Sequence, residues 1–276
     1  MKKFQRDEFI SEIYKAAKKN CNIYFLSADF GAPALDNFRK YLKNQFIHLG
    51  ICEQNMVDFG CGLAIEKKKV YLYAMAPFLS LRCLEQHKTA TCLINANVCS
   101  IVTGIGLSYA NAGPTHYSTE DFACLRSLPN SIIYTASDPE TAKKIAIQTL
   151  KEKTPVFVRL DRKSSYNLAK KTKSEEIKKG FRFLKKEKNK KILIIGQGTI
   201  LERALLAMKH INTNINSKVT IIDIIRAKPF PNILKNLLNN YQKLIVIDEQ
   251  TKPGGLASLI LENIAYNKKI VNLCLP

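Results

Sequence analysis

The chain has no tryptophan, only four histidines and few acids, with 23 Asp+Glu against 43 Lys+Arg in 276 residues and a formal net charge of +20. No apolar run reaches 18 residues, so no membrane-spanning helix is expected. Nor does an apolar signal core follow Met1, because Lys2-Lys3-Phe4-Gln5-Arg6 passes straight into an amphipathic pattern. A cytoplasmic chain is the expectation. The eight cysteines include no Cys-x-x-Cys pair, which argues against a zinc site and against the disulfide framework of a small secreted domain. Several sit in apolar runs such as Cys92-Leu93-Ile94, the pattern of buried small hydrophobes.

What is present is enough for a sizeable core. Hydrophobic residues make up 46% of the chain, too many for a disordered polymer, and the length fits two domains or one large α/β domain. The charge is unevenly spread. Between Arg162 and Lys191 stand 13 Lys+Arg against Glu175, Glu176 and Glu187, so this stretch carries half of the net charge. It lacks interleaved aromatics and any nucleic-acid motif, which favours an interdomain linker over a phosphate-backbone contact.

Short apolar runs alternate with helical patterns on both sides of that stretch. Strands are expected over 22–27, 46–50, 70–74, 98–102, 131–134 and 156–160, with helices over about 6–19, 54–66 and 78–94 and another from Pro139. After the stretch the pattern restarts with strands over 191–196, 219–224 and 244–249 and a final helix from about Leu256. Nearly continuous apolar strands between helices indicate mainly parallel sheets covered on both faces, with chemistry in the loops at the strand C-termini. Gly196-Gln197-Gly198 is no dinucleotide fingerprint, because Leu201 stands at the third glycine position.

Two segments carry candidate chemistry. In Gly50-Ile51-Cys52-Glu53-Gln54-Asn55-Met56 a carboxylate opens a helix beside Ile51, Cys52, Met56 and Phe59. There it could serve the helix dipole, or be desolvated enough to share a proton near neutral pH. In the glycine-rich loop from Gly104 to His116 the histidine could be a structural hydrogen-bonder or an acid–base group. Either segment alone leaves both readings open.

Together with their neighbours these motifs carry a resemblance. Gly50-Ile-Cys-Glu53-Gln-Asn-Met56 is followed by Pro77-Phe78-Leu79 with Arg82 and Glu85-Gln86, and then by Gly106-Leu-Ser-Tyr109 with Gly113-Pro-Thr-His116. After these come Arg126-Ser-Leu-Pro129-Asn130, Asp138-Pro-Glu140 and Val158-Arg159-Leu-Asp-Arg162. The set resembles the pyrimidine-binding domain of the transketolase family of thiamine diphosphate enzymes. Lys228-Pro229 and Asp248-Glu249 with Gly254-Gly255-Leu256 are similar to that family's C-terminal domain.

The resemblance implies two three-layer α/β/α domains, a pyrimidine-binding domain over 1–163 and a smaller C-terminal-like domain over 191–276, joined by a basic linker over 164–190. The second domain is expected to stop short of the family's usual final segment. No Gly-Asp-Gly occurs in the sequence, so the diphosphate and its Mg2+ or Ca2+ would be held by an N-terminal partner subunit, as in a split transketolase, giving an α2β2 assembly. The resemblance further implies that Glu53 shares a proton with N1′ of the cofactor's aminopyrimidine and that Phe78 stacks on that ring. Arg82 would join the cofactor site, His116 would face the reacting carbon, and Arg162 with its neighbour Arg159 would bind a sugar phosphate. The implied reaction is transfer of a two-carbon ketol unit, with no nucleic acid or membrane partner.

Two departures bear on the substrate. Asn111 and Ala112 stand where many transketolases carry an acidic pair, and Leu81 stands where some relatives have an aromatic. The alternatives are the β subunit of a 2-oxo acid dehydrogenase E1 component, and a non-catalytic relative that acts as a binding module.

Overall fold

Strands Val98–Thr103 and Val156–Leu160 are buried at every position, which is why their sequences show no alternation: both faces of the sheet are covered. The computed structural model describes residues 2–28, 31–169, 171–188, 191–211, 215, 218–264 and 269–276. In it the two strands lie at the centre of a seven-stranded sheet. In spatial order the strands are Arg226–Lys228, Ile132–Thr135, Val156–Leu160, Val98–Thr103, Lys69–Met75, Ile23–Ala28 and Phe46–Gly50. All neighbours run parallel except Arg226–Lys228, which pairs antiparallel with Ile132–Thr135.

One face of this sheet is covered by helices Gln5–Ala17 and Pro139–Thr149. The first buries Phe9, Ile10, Ile13 and Ala17, and the second starts at Asp138, whose carboxylate accepts from the Thr141 N–H at 2.7 Å. The other face carries helix Glu53–Ile65, with Met56, Val57 and Cys61 packed on Leu26, Val70 and Leu72.

A second sheet of five strands has the order Lys269–Leu275, Lys243–Thr251, Ile192–Gly196, Val219–Ile224 and Phe181–Lys185. Again only the last is antiparallel. The expected α/β architecture with mainly parallel sheets is therefore the observed one. The two sheets are not independent. One apolar cluster joins Phe122, Leu125 and Phe157 from the first half to Ile222, Leu234 and Leu256 from the second. Arg226–Lys228, although it follows the second sheet's strand Val219–Ile224, completes the first sheet.

The basic stretch expected as a linker is built into the fold. Ser164–Ser165 pairs antiparallel with Lys3–Phe4, Ser174–Lys179 is a helix ending at Gly180 (φ 87°), and Phe181–Lys185 is a strand. The charge hides it, because the strand alternates Phe181 and Phe183 with Arg182 and Leu184 and ends on Lys185, and Arg182 is itself buried. Lys170, Asn189 and Lys190 of that stretch lie outside the described residues. The single helix expected over 78–94 is likewise broken. Ala76–Leu79 forms one turn, Ser80 Oγ donates back to the Ala76 carbonyl, and the chain restarts at Leu84–Gln86 before a π-type segment His87–Cys92.

Candidate active site

The C-terminal ends of strands Phe46–Gly50, Lys69–Met75, Val98–Thr103 and Val156–Leu160 lead directly to the residues singled out above. Gly50 takes φ +73°, the Cys52 thiol donates to the Leu49 carbonyl at 2.7 Å, and this tight turn sets Glu53 as the first residue of its helix. Glu53 is 5% exposed. Arg82 Nη1 donates to Glu53 Oε2 at 2.8 Å. The same guanidinium lies over the Phe78 ring, 4.2 Å from its centroid. The His116 ring meets Phe78 edge-on, with centroids 5.5 Å apart and planes at 73°, and its Nδ1 is paired with Thr115 Oγ1 at 2.8 Å.

Four of the six expected residues, Glu53, Phe78, Arg82 and His116, thus form one contiguous cluster assembled from three strand ends. Behind it, burial and the nearby Glu53 charge push the Cys83 thiol up to about 12, so this cysteine stays neutral. Gln54 braces the cluster by donating from Nε2 to the Arg82 carbonyl at 3.2 Å.

Arg162 is held by Tyr109, a residue of the Gly106-Leu-Ser-Tyr109 motif to which no role was given. Its guanidinium stacks on Tyr109, 4.5 Å from the ring centroid, and Tyr109 packs over Gly104. A Cβ at Gly104 would fall 2.1 Å from the Tyr109 ring, and its φ of +87° also requires glycine. Burial raises the Tyr109 hydroxyl pKa against the pull of Arg162 and Arg6, which keeps it a neutral donor. A glycine strand exit with an aromatic five residues later was the available signal.

Arg159 is elsewhere, which corrects its expected role beside the substrate phosphate. It is 1% exposed, and its Nε and Nη2 grip Asp121 at 2.7 and 3.0 Å, while Nη1 donates to Thr135 Oγ1 at 3.0 Å. Buried and paired bidentately with Asp121, this guanidinium does not face solvent as Arg162 does. It ties helix Asp121–Ser127 to strand Ile132–Thr135 inside the first half, whereas Arg182 joins the two halves by bridging Asp138 at 2.7 Å and Asp223 at 2.8 Å. Burial pushes the Asp223 carboxyl up to about 6 against the opposing pull of Arg182.

The cluster fits the aminopyrimidine half of the expected cofactor. A buried carboxylate has one oxygen engaged by Arg82, and an aromatic face stands beside it. Among the described residues no three His, Cys, Asp or Glu side chains gather as a metal-ligand set, and no helix is long and apolar enough to cross a membrane.

Comparison with known proteins agrees with this geometry. Residues 6–166 match the family described as transketolase, pyrimidine binding domain, and residues 182–276 match transketolase, C-terminal domain. The chain is 26% identical over 269 residues to one of the subunits of the apulose-4-phosphate transketolase of Phocaeicola vulgatus, covering 95% of this chain and 84% of that one. It is 30% identical over 271 residues to 1-deoxy-D-xylulose-5-phosphate synthase of a Thermotoga species, covering 96% of this chain but 42% of that protein. Among solved structures, a split gene transketolase in the form of an inactive beta4 tetramer superposes with a TM-score of 0.85 at 22% identity, covering 99% of this chain and 89% of that one. The order of motifs, the two matched domains and the shared architecture place this chain in the transketolase family, with that family's pyrimidine-binding and C-terminal domains.

Proposed function

We propose that the chain is the pyrimidine-binding subunit of a two-chain, thiamine diphosphate-dependent transketolase, completed by an N-terminal subunit that holds the diphosphate and its Mg2+ or Ca2+. The observation that carries this reading is the convergence of Glu53, Phe78, Arg82 and His116 at one mouth, with the carboxylate buried and the aromatic face adjacent. When bound, thiamine diphosphate supplies a carbon nucleophile that accepts and releases a two-carbon ketol unit. Glu53 would accept the hydrogen bond at pyrimidine N1′ and hold or return that proton. Phe78 would bear the ring by stacking, a contact worth on the order of 1 kcal/mol beyond its burial. His116 has Nδ1 engaged by Thr115, which leaves Nε2 to hydrogen-bond a substrate oxygen. Arg162, exposed and held in place by Tyr109, would bind the substrate's phosphate or other anionic group through its planar fork.

Relatives whose names specify apulose 4-phosphate and 6-deoxy-6-sulfo-D-fructose support an anionic sugar derivative as substrate class. Asn111 and Ala112 place no carboxylate next to Gly113, so acceptor hydroxyls would be read by neutral groups. An α2β2 assembly would put each cofactor at a subunit junction. The test is ketol transfer by the complex reconstituted with its partner chain: Glu53→Gln is expected to lower kcat by roughly 100-fold or more. Undiminished turnover would overturn the role given to Glu53.

A further inference from the structure

A crevice of about 240 Å³ opens where the C-terminal ends of both sheets meet, away from Glu53 and Phe78. One wall is formed by Thr199 and Ile200, where the turn Gly196-Gln197-Gly198, with Gly198 at φ +76°, leads strand Ile192–Gly196 into the eight-residue helix Ile200–Ala207. A strand–glycine–helix turn presents the positive end of the helix, and Thr199 and Ile200 at that end line the crevice. The facing wall is the ribbon formed by Lys3–Phe4 and Ser164–Ser165. Ser165 is 5% exposed, lines the crevice, and has no hydrogen-bond partner for its Oγ. A buried hydroxyl left unpaired costs free energy that a ligand would recover.

The charges are mixed in a way that narrows the ligand. Lys2, Lys163 and Arg203, all exposed, bring cations to the rim, and Glu202 in the helix's first turn adds a carboxylate beside them. Asp161 is already committed: Oδ1 accepts from Ser108 Oγ at 3.0 Å and from the Lys163 N–H at 2.8 Å, and Oδ2 accepts from Thr199 Oγ1. Glu249 remains as an acceptor. Its carboxyl pKa is raised by burial and by Asp161, against the opposing pull of Lys163, the Leu107 N–H and Arg203. Inorganic phosphate alone would satisfy the cations and strand the acceptors, and an uncharged sugar would do the reverse. The volume lies below the roughly 300–1,000 Å³ of sites for drug-sized molecules.

We propose that this crevice binds a small phosphorylated sugar as an effector, at a site separate from the Glu53–Phe78–Arg82–His116 cluster. The phosphate meets Lys163, Arg203 and the helix end, and the hydroxyls meet Ser165 and Glu249. Occupancy would be felt at the candidate active site because the loop carrying His116 is anchored here. Gly106 lies so close to Glu249 that a Cβ would stand 2.7 Å from Oε2, and Ser108 holds Asp161.

The proposal stands apart from ketol transfer, because binding is read on the full chain without cofactor or partner. Calorimetric titration with ribose 5-phosphate is expected to give saturable binding, with ribose and inorganic phosphate at least tenfold weaker. Lys163→Ala and Arg203→Ala, surface changes whose folding is checked by unchanged melting temperatures, are expected to weaken binding tenfold or more, whereas Arg162→Ala leaves it unaltered. Ribose 5-phosphate is also expected to shift the backbone amide resonances of Ser165, Thr199 and Ile200. Absence of binding, phosphate binding as tightly as the sugar phosphate, or loss of binding in Arg162→Ala but not in Arg203→Ala would each overturn the proposal.

Discussion

Arg82 and Arg159 hold carboxylates at nearly the same distance, 2.8 Å to Glu53 and 2.7 Å to Asp121, yet their side chains are 42% and 1% exposed. Both arginines were candidates for the same site. The difference shows that pairing geometry alone does not tell a functional arginine from a structural one; solvent access does. In the first pair Glu53 is buried but the Arg82 guanidinium keeps a solvent-facing side, so water can reach the contact from that side and a ligand can approach it. At the buried pair neither partner can be resolvated, so removing one leaves an uncompensated charge inside the protein. Arg159 therefore serves the interior of the first half, and Arg82 belongs to the mouth at that half's strand ends.

The sharpest break in this comparison is Arg159→Met. Asp121 is fully buried, and without its cation the fold is expected to lose about 3–5 kcal/mol in urea denaturation. Adding Asp121→Asn to the variant removes the stranded charge and is expected to restore part of that loss. A double variant no more stable than Arg159→Met would show that the damage is lost packing against Phe122 rather than an unpaired carboxylate.

A smaller effect tests the same contact through pH. Asp248 lies close enough to feel Arg159, and it accepts from the Leu256 N–H at 3.0 Å and from Gln197 Nε2 at 3.4 Å. Burial nonetheless pushes its carboxyl up to about 6, above the ordinary value near 4 of an unfolded aspartate. The folded chain then binds more protons than the unfolded chain between about pH 4 and pH 6. This group's contribution to stability is full below pH 4 and is lost as pH rises through 6. Compared with Asp248→Asn, the native chain is expected to gain on the order of 2 kcal/mol between pH 7 and pH 4.5. Parallel stability curves for the two proteins would mean that Asp248 is ionised throughout.

How far these roles could be read in advance follows from the range of the interactions. The central strands were legible because burial on both faces writes itself as an unbroken apolar run, as in Val98–Thr103. Glu53, Phe78, Arg82 and His116 were legible because each sits in a short motif at a strand exit. Arg159 was not, because its partner Asp121 is 38 residues away on another element and nothing local marks the pair as buried. The strand Phe181–Lys185 was missed because Asp138 and Asp223, far apart in the chain, neutralise Arg182 only once folded. Arg226–Lys228 is three residues long and crosses to the other sheet, too little sequence to show a period.

The smallest effect on stability belongs to the other member of the pair. Arg82→Met keeps the aliphatic stem over Phe78 and deletes the charge, and because Arg82 itself is 42% exposed, water can reach the freed Glu53 oxygen and the unfolding free energy is expected to change by only about 1 kcal/mol. Function is expected to respond differently, because Glu53 would lose the donor that fixes Oε2 and Phe78 the guanidinium that covers its face. Thiamine diphosphate affinity of the reconstituted complex, measured by calorimetry alongside ketol transfer, separates the two roles. Altered affinity with intact stability is the expected result. A loss of stability comparable to that of Arg159→Met would instead put Arg82 among the structural arginines and erase the distinction.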